Sequence, residues 1–160
     1  MTGPHRIARI ETRILDIPTI RPHKLSFGAI SRQSPVIVQL WLDDGAYGFG
    51  EAATIGGPSW NEESPESIKH AIDAYLAPVL IGQDGGRFGA ALARMDAACK
   101  GNAFAKSAVE MALIDAVAFF LQAQLRLFQI AGHIAAGQGP GQGQALVALA
   151  AEQLPGWQFE

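Results

Sequence analysis

Cysteine and charged residues are scarce in this 160-residue sequence. A single cysteine, Cys99, cannot form an internal disulfide, which excludes a disulfide-stabilised secreted domain and favours a cytoplasmic location. Only 17% of residues are charged, and the formal net charge is −3. The sequence has no basic stripe, so we expect no nucleic-acid partner. The N-terminal residues also lack the apolar run of a signal peptide.

Long apolar runs are missing as well. The most apolar stretch, residues 116–136, is interrupted by three glutamines, Arg126 and His133, so we expect no membrane-spanning helix. Apolar residues nevertheless make up 49% of the chain, which is enough to form a globular core.

Motifs for metal, nucleotide or nucleophilic chemistry are also absent. The four histidines share no metal-ligand spacing. The stretch GQGPGQGQ, residues 137–144, lacks the Lys-Ser/Thr ending of a phosphate-binding loop, and GFGEAA, residues 48–53, lacks the third glycine of a dinucleotide site. From the residues alone we therefore predict no catalytic and no metal-binding residue.

Strand patterns come first along the chain. Alternating or β-branched residues predict strands near 6–17, 35–43 and 46–54, and the turn signal DDG at 43–45 joins the last two. Short turns between successive strands favour an antiparallel three-stranded meander. Pro18 and Pro22 interrupt the pattern, so residues 18–34 are interpreted as a long loop.

Helical patterns follow. Ser64 and Pro65 predict a helix start, and Gly82 its end. The apolar face of this helix is predicted at Ile68, Ile72, Tyr75, Leu76 and Val79. A second helix is predicted over 87–100, with Phe88, Leu92, Met95 and Cys99 on one side. A third is predicted over 103–121, with a stripe formed by Ala105, Ala108, Ala112 and Ala116. Strands followed by a helical bundle give an α+β fold.

Two loops and the C-terminal tail stand apart from these elements. In GFGEAATIGGPSW, residues 48–60, a bare isoleucine, Ile55, sits in a loop of small residues, although chains usually bury isoleucine. Residues 131–160 begin with a Gly/Gln-rich linker and are predicted to contain a short final helix at 145–154.

Several segments resemble one known family. PTIRPHKLS, EAATIGG, LAPVLIGQ and GNAFAKSAVEMALIDA occur in the order and spacing of the N-terminal capping domain of muconate cycloisomerases, in the enolase superfamily. The resemblance covers about residues 5–118. It implies a capping domain over 1–130, followed by a tail, 131–160, without resemblance.

The resemblance also implies a chemistry. Muconate cycloisomerases interconvert cis,cis-muconate, a small dicarboxylate, and muconolactone, using a lysine and a divalent metal, manganese or magnesium, in a (β/α) barrel that follows the cap. Two cap loops close over the substrate. By resemblance, the substrate-binding residues here are Ile20, His23, Lys24, Ile55 and Gly56.

The catalytic parts of that family have no counterpart in the sequence. The lysines are at 24, 69, 100 and 106, so no Lys-x-Lys pair occurs, and we expect this chain alone to bind no metal. Three interpretations stay open: a truncated cycloisomerase that is inactive alone, a cap-only binding or assembly module, or a different enzyme on this scaffold. Without a barrel, we expect self-association through Ile20, Ile55, Trp60 and residues 119–130.

Overall fold

A computed structural model of the chain describes residues 5–26, 28–55, 57–59 and 61–135. The strands are β1 (Ile7–Ile14), β2 (Ile17–Leu25), β3 (Gly28–Gln33), β4 (Val36–Leu42) and β5 (Tyr47–Ala52). The helices are α1 (Pro65–Ala71), α2 (Ala77–Leu80), α3 (Phe88–Ala98) and α4 (Ala103–Ala135), with a π-helical turn over Ile72–Leu76. The predicted α+β fold is confirmed.

The chain divides into two compact units, residues 1–119 and 120–160. All five strands and helices α1 to α3 belong to the first unit. The predicted Gly/Gln linker and final helix lie outside the described residues, and the predicted boundary at residue 130 stays a prediction.

The main sheet is the predicted meander. Its strand order is β1-β4-β5, and both pairings are antiparallel. The ladder between β1 and β4 begins where Ile14 faces Val36, and the ladder between β4 and β5 where Val36 faces Ala52. The β4–β5 turn contains Gly45 at φ +88°, a conformation that favours glycine.

The predicted long loop at 18–34 is wrong, because β2 and β3 form an antiparallel two-stranded hairpin there. Both strands of such a hairpin are edge strands, where a proline can turn its missing donor away from the ladder. The register shifts between Pro18 and His23, around Pro22. The prolines distort this hairpin without preventing it.

The core lies between one face of the main sheet and the helices. Fully or almost fully buried side chains come from both layers: Ile7, Val36, Val38, Leu40 and Leu42 from the sheet, and Ile68, Ile72, Leu76, Leu80, Met95 and Leu113 from the helical segments. Thr12 is the polar residue of β1 on this face, and its hydroxyl bonds to Asp73 and Lys69. On the opposite face, Tyr47 stacks on Phe119 of α4, with ring centres 5.9 Å apart.

The first helical segment begins as predicted but its buried face differs. The Ser64 hydroxyl accepts a hydrogen bond from Ser67 N, which forms a cap before α1. Within the π turn, Ala77 N donates to Ile72 O, five residues back. This wider turn keeps residues four apart on one face. Leu80 is therefore buried, whereas the predicted core residues Tyr75 and Val79 are exposed and half-buried.

Helix α3 buries fewer residues against the core than predicted. Ala91 and Met95 are its buried residues, and the predicted Phe88, Leu92 and Cys99 are only half-buried. A small and a large residue one turn apart fill the space next to α2.

Helix α4 lies directly on the backbone of β5. The predicted stripe of Ala105, Ala108, Ala112 and Ala116 is fully buried. A Cβ atom added to Gly48 would overlap the backbone at Ala112 and Ala116, and one added to Gly50 would overlap Ala108 O. Glycine on the strand and alanine on the helix together allow this close approach.

Helix α4 is longer than predicted. It continues to Ala135 rather than ending near Leu121, because residues 122–131 include good helix formers and neither proline nor glycine. Among the described residues, no helix combines the length and the hydropathy needed to cross a bilayer.

Candidate functional site

A groove of about 520 Å³ opens between the hairpin (residues 17–33) and the connector, which we define as residues 53–63 between β5 and α1. Most of its wall comes from the hairpin, and the connector contributes one isoleucine. The lining residues are Ile17, Pro18, Thr19, Ile20, Arg21, His23, Ile30, Gln33 and Ile55.

The structure brings three of the five predicted site residues to this groove. Ile20, His23 and Ile55 all line it, although they come from two separate segments. Lys24 is not among the lining residues. Gly56 lies outside the described residues. The binding roles of these residues stay predictions.

Arg21 is the charged groove residue that sequence reasoning missed. It lies two residues before His23 in β2, so the two can share one side of the hairpin. Interpreting 18–34 as a loop removed that period-2 signal. No described lining residue is acidic, so the groove carries a positive charge from Arg21.

The apolar part of the groove is open to solvent. Ile20 is fully exposed, at 106% of its reference area, and Ile55 remains 40% exposed. Isoleucines in such exposed positions contribute little hydrophobic stabilisation to the fold of the unit. They are available to contact a ligand or another protein surface.

Two threonine hydroxyls near the groove are buried without a hydrogen-bond partner in the part of the chain that the structure describes. They belong to Thr19, in the groove lining, and Thr54, next to Ile55. A buried hydroxyl without a partner is destabilising by about 1–3 kcal/mol, so such groups are uncommon. Both flank the same site.

The connector is tied to the helical layer at its C-terminal end. The Glu63 side chain is buried, and its carboxylate oxygens accept hydrogen bonds from Phe104 N (2.9 Å) and Ala105 N (3.2 Å) in the first turn of α4. Glu63 N in turn donates to Asn61 Oδ1. A carboxylate at a helix N-terminus satisfies free N–H groups and complements the helix dipole.

The base of the hairpin is held by an exposed ion pair. Arg32 Nε donates to Asp16 Oδ1 at 2.6 Å, and Arg32 Nη2 donates to the Asp16 carbonyl at 3.3 Å. The hydrogen bond from Arg32 lowers the pKa of the Asp16 carboxyl and raises the pKa of the Arg32 guanidinium. The pair joins the end of β1 to β3.

The described residues do not fit the manganese or magnesium that the resemblance implies. No group of three His, Cys, Asp or Glu side chains converges among them as a metal site. We therefore derive no step through a metal from these residues.

The segments around the groove agree with a known family. Residues 9–129 match the N-terminal domain of the mandelate racemase / muconate lactonizing enzyme family. The chain belongs to this family. The match begins within β1 and ends within α4, so it contains most of β1 and all of β4 and β5, the hairpin and the connector.

Individual relatives are similar over the same region. The chain is 51% identical over 115 residues to muconate cycloisomerase 1-2 of Acinetobacter lwoffii, covering 72% of this chain and 30% of that enzyme. It is 48% identical over 110 residues to a chloromuconate cycloisomerase of Cupriavidus necator, with 69% and 30% covered. The chain thus spans about a third of the length of the curated relatives it matches.

Solved structures share the fold. Muconate lactonizing enzyme from Pseudomonas fluorescens, complexed with muconolactone, superposes with a TM-score of 0.69 at 48% identity. The superposition covers 71% of this chain and 31% of that one. The resemblance predicted from sequence is confirmed for the N-terminal part of the family.

Proposed function

We propose that this chain supplies the capping part of a muconate cycloisomerase, which interconverts cis,cis-muconate and muconolactone. The observation that carries the proposal is the groove between the hairpin and the connector. Its four isoleucines offer an apolar wall, and Arg21 and His23 offer a cation and a hydrogen-bonding group. An apolar wall with one positive end suits an unsaturated dicarboxylate.

In this proposal the capping part binds and encloses the substrate, and the barrel of the enzyme carries out the chemistry. Ile20 and Ile55 exclude water from the substrate, while Arg21 or His23 faces a carboxylate. Lys24, which does not line the groove, is available to contact the barrel of the same enzyme. A divalent metal supplies enolate stabilisation in the family, and the described residues of this chain do not hold it.

We further propose that the 160-residue chain has no turnover by itself and acts in the cytoplasm without a nucleic-acid partner. The absence of a Lys-x-Lys pair supports the first point, and the single cysteine and the net charge of −3 support the others. Adding the purified chain to cis,cis-muconate with manganese should leave the muconate absorbance constant. A metal-dependent loss that scales with chain concentration would contradict this.

A chimera tests the capping role directly. The matching region of the Acinetobacter lwoffii enzyme would be replaced by residues of this chain, and turnover of muconate measured. We expect the chimera to be active and Ile55→Asp within it to raise KM or lower kcat by tenfold or more, since a charge would enter the apolar wall.

The matched control is Ile81→Asp in the same chimera. Ile81 is also an exposed isoleucine, at 45%, but it lies between α2 and α3 and not in the groove lining. Equal losses for the two variants, or full activity with Ile55→Asp, would contradict the proposal.

A further inference from the structure

The face of the three-stranded sheet opposite the core is a second exposed surface, separate from the groove. We refer to it as the open face and define it by three cross-strand rows. The rows are Arg9–Trp41–Tyr47, Glu11–Gln39–Phe49 and Arg13–Ile37–Glu51. Each row has one residue from β1, one from β4 and one from β5.

The open face combines aromatic surface with charge. Tyr47 is 40% exposed and Phe49 is 48% exposed, and their rings meet edge to face. The Tyr47 ring also stacks on Phe119 of α4, which covers part of this corner of the face. The Arg9 guanidinium lies 3.6 Å from the centre of the Trp41 ring and pairs with Glu11 at 2.7 Å. Arg13 and Glu51 are exposed at opposite ends of one row.

We infer that the open face binds a second copy of this chain, sheet against sheet, about a two-fold axis parallel to β4. Such an axis places β1 of one copy over β5 of its partner. Each cross-strand row then faces the same row of the partner, in reversed strand order. Arg13 then faces the partner's Glu51, and Glu51 faces the partner's Arg13. Arg9 faces the partner's Tyr47, where a cation and an aromatic ring attract each other.

The charges select this axis over the other face-to-face arrangement. A two-fold axis perpendicular to the strands would place β1 over the partner's β1. Glu11 would then face the partner's Glu11, and Arg9 would face the partner's Arg13. Like charges directly opposite are repulsive, whereas the parallel axis makes two opposite-charge pairs.

The shape of the face agrees with sheet-on-sheet packing. A shallow depression of about 230 Å³ lies over β4, with Ile37, Gln39 and Phe49 in its wall. Two sheets pack about 10 Å apart with side chains interdigitating, so side chains of one copy can fill the depression of the other.

The size of the face predicts a weak dimer. Three strands about five residues long cover roughly 250 Å², well below the roughly 800 Å² per partner of a standard stable interface. We therefore expect a weak dimer whose population depends on protein concentration. This surface differs from the self-association surface predicted from sequence. Trp60 and most side chains of 119–130 in that surface lie outside the described residues.

Sedimentation velocity of the 160-residue chain from about 5 to 500 µM tests the inference by charge reversal. Arg13→Glu and Glu51→Arg should each weaken the dimer by about tenfold or more, because each places like charges opposite in both pairs. The double variant Arg13→Glu/Glu51→Arg should restore the original affinity. Arg94→Glu makes the same charge change on exposed α3 and should leave the affinity unchanged.

Three outcomes would overturn the inference. A monomer throughout the concentration range would show that the open face does not self-associate. A dimer insensitive to both reversals would place the contact elsewhere, for example on residues 119–130. Weakening by both single variants without restoration by the double variant would refute the pairing of Arg13 with the partner's Glu51.

Discussion

The β5–α4 contact and the hairpin of residues 17–33 are held by opposite means. In the first, backbone meets backbone, because glycines on the strand and alanines on the helix leave no side chain between them. In the second, long side chains project into solvent, and an exposed ion pair holds the base. The β5–α4 contact is thus stabilised by close packing within the unit. The exposed side chains of the groove wall can gain packing contacts only from a bound ligand or another protein surface.

The largest expected effect comes from filling the glycine contact. Gly50→Ala adds a Cβ atom that would overlap the backbone of Ala108, so α4 must move away from β5. We expect a loss of about 3 kcal/mol in the free energy of unfolding, measured by chemical denaturation.

The control for this variant is Gly89→Ala in α3. A Cβ atom at Gly89 meets nothing within 4 Å, so the substitution should raise stability by about 0.5–1 kcal/mol through helix propensity. Similar effects of the two substitutions would mean that the close approach of β5 and α4 is not real.

An intermediate effect is expected at the link between the connector and the core. Glu63→Ala leaves two N–H groups of the first turn of α4 without their acceptor, and should lower stability by about 2 kcal/mol. Hydrogen exchange should also show faster exchange at Phe104 and Ala105. Glu62→Ala, at the exposed neighbour, should change stability by less than about 0.5 kcal/mol. Unchanged exchange in Glu63→Ala would argue against the anchor.

The smallest effect concerns the base of the hairpin and depends on pH. Arg32 lowers the folded-state pKa of Asp16, so the pair stabilises the fold above the unfolded carboxyl pKa of about 3.9. The stabilisation is lost as pH falls through the folded-state pKa. Asp16→Asn should therefore lower the thermal midpoint slightly at pH 7, and this deficit should shrink as pH falls into the range where the Asp16 carboxyl of the folded protein is protonated.

Arg32→Gln removes the cation of the same ion pair, so its thermal midpoint should show the same pH dependence. Because both groups are exposed, solvent screening keeps the difference small and salt should reduce it further. A deficit of Asp16→Asn that does not shrink as pH is lowered would show that the carboxylate charge is not its cause.

Local patterns predicted those elements whose causes are local. The three strands of the meander, the Ser64 cap and the alanine stripe follow from alternation, capping chemistry and helical spacing within a few residues. The π turn escaped prediction because its shift in the buried face depends on packing and not on a residue signal. Tyr75 was consequently placed in the core.

The hairpin and the groove show a different limit. Pro18 and Pro22 are strong strand breakers in a central strand but tolerable in a two-stranded hairpin, and the sequence does not reveal which context applies. Because these residues were predicted to form a loop, Arg21 was not recognised as a groove residue. A second example is the close packing of β5 on α4. Gly48 and Gly50 lie against Ala112 and Ala116, which are more than 60 residues away in the sequence, and only the fold brings them together.

The hairpin has a consequence for how the molecule can be altered. It is an excursion from a strand pair that is already closed: Ile14 faces Val36, and Leu15 N donates to Pro35 O at 3.0 Å. The two attachment points are therefore neighbours in the sheet, and changing the length of the excursion changes loop-closure entropy only slowly, by about 0.6 kcal/mol per doubling. The hairpin is an exchangeable module, and its replacement would redesign the groove while leaving the main sheet's pairing intact.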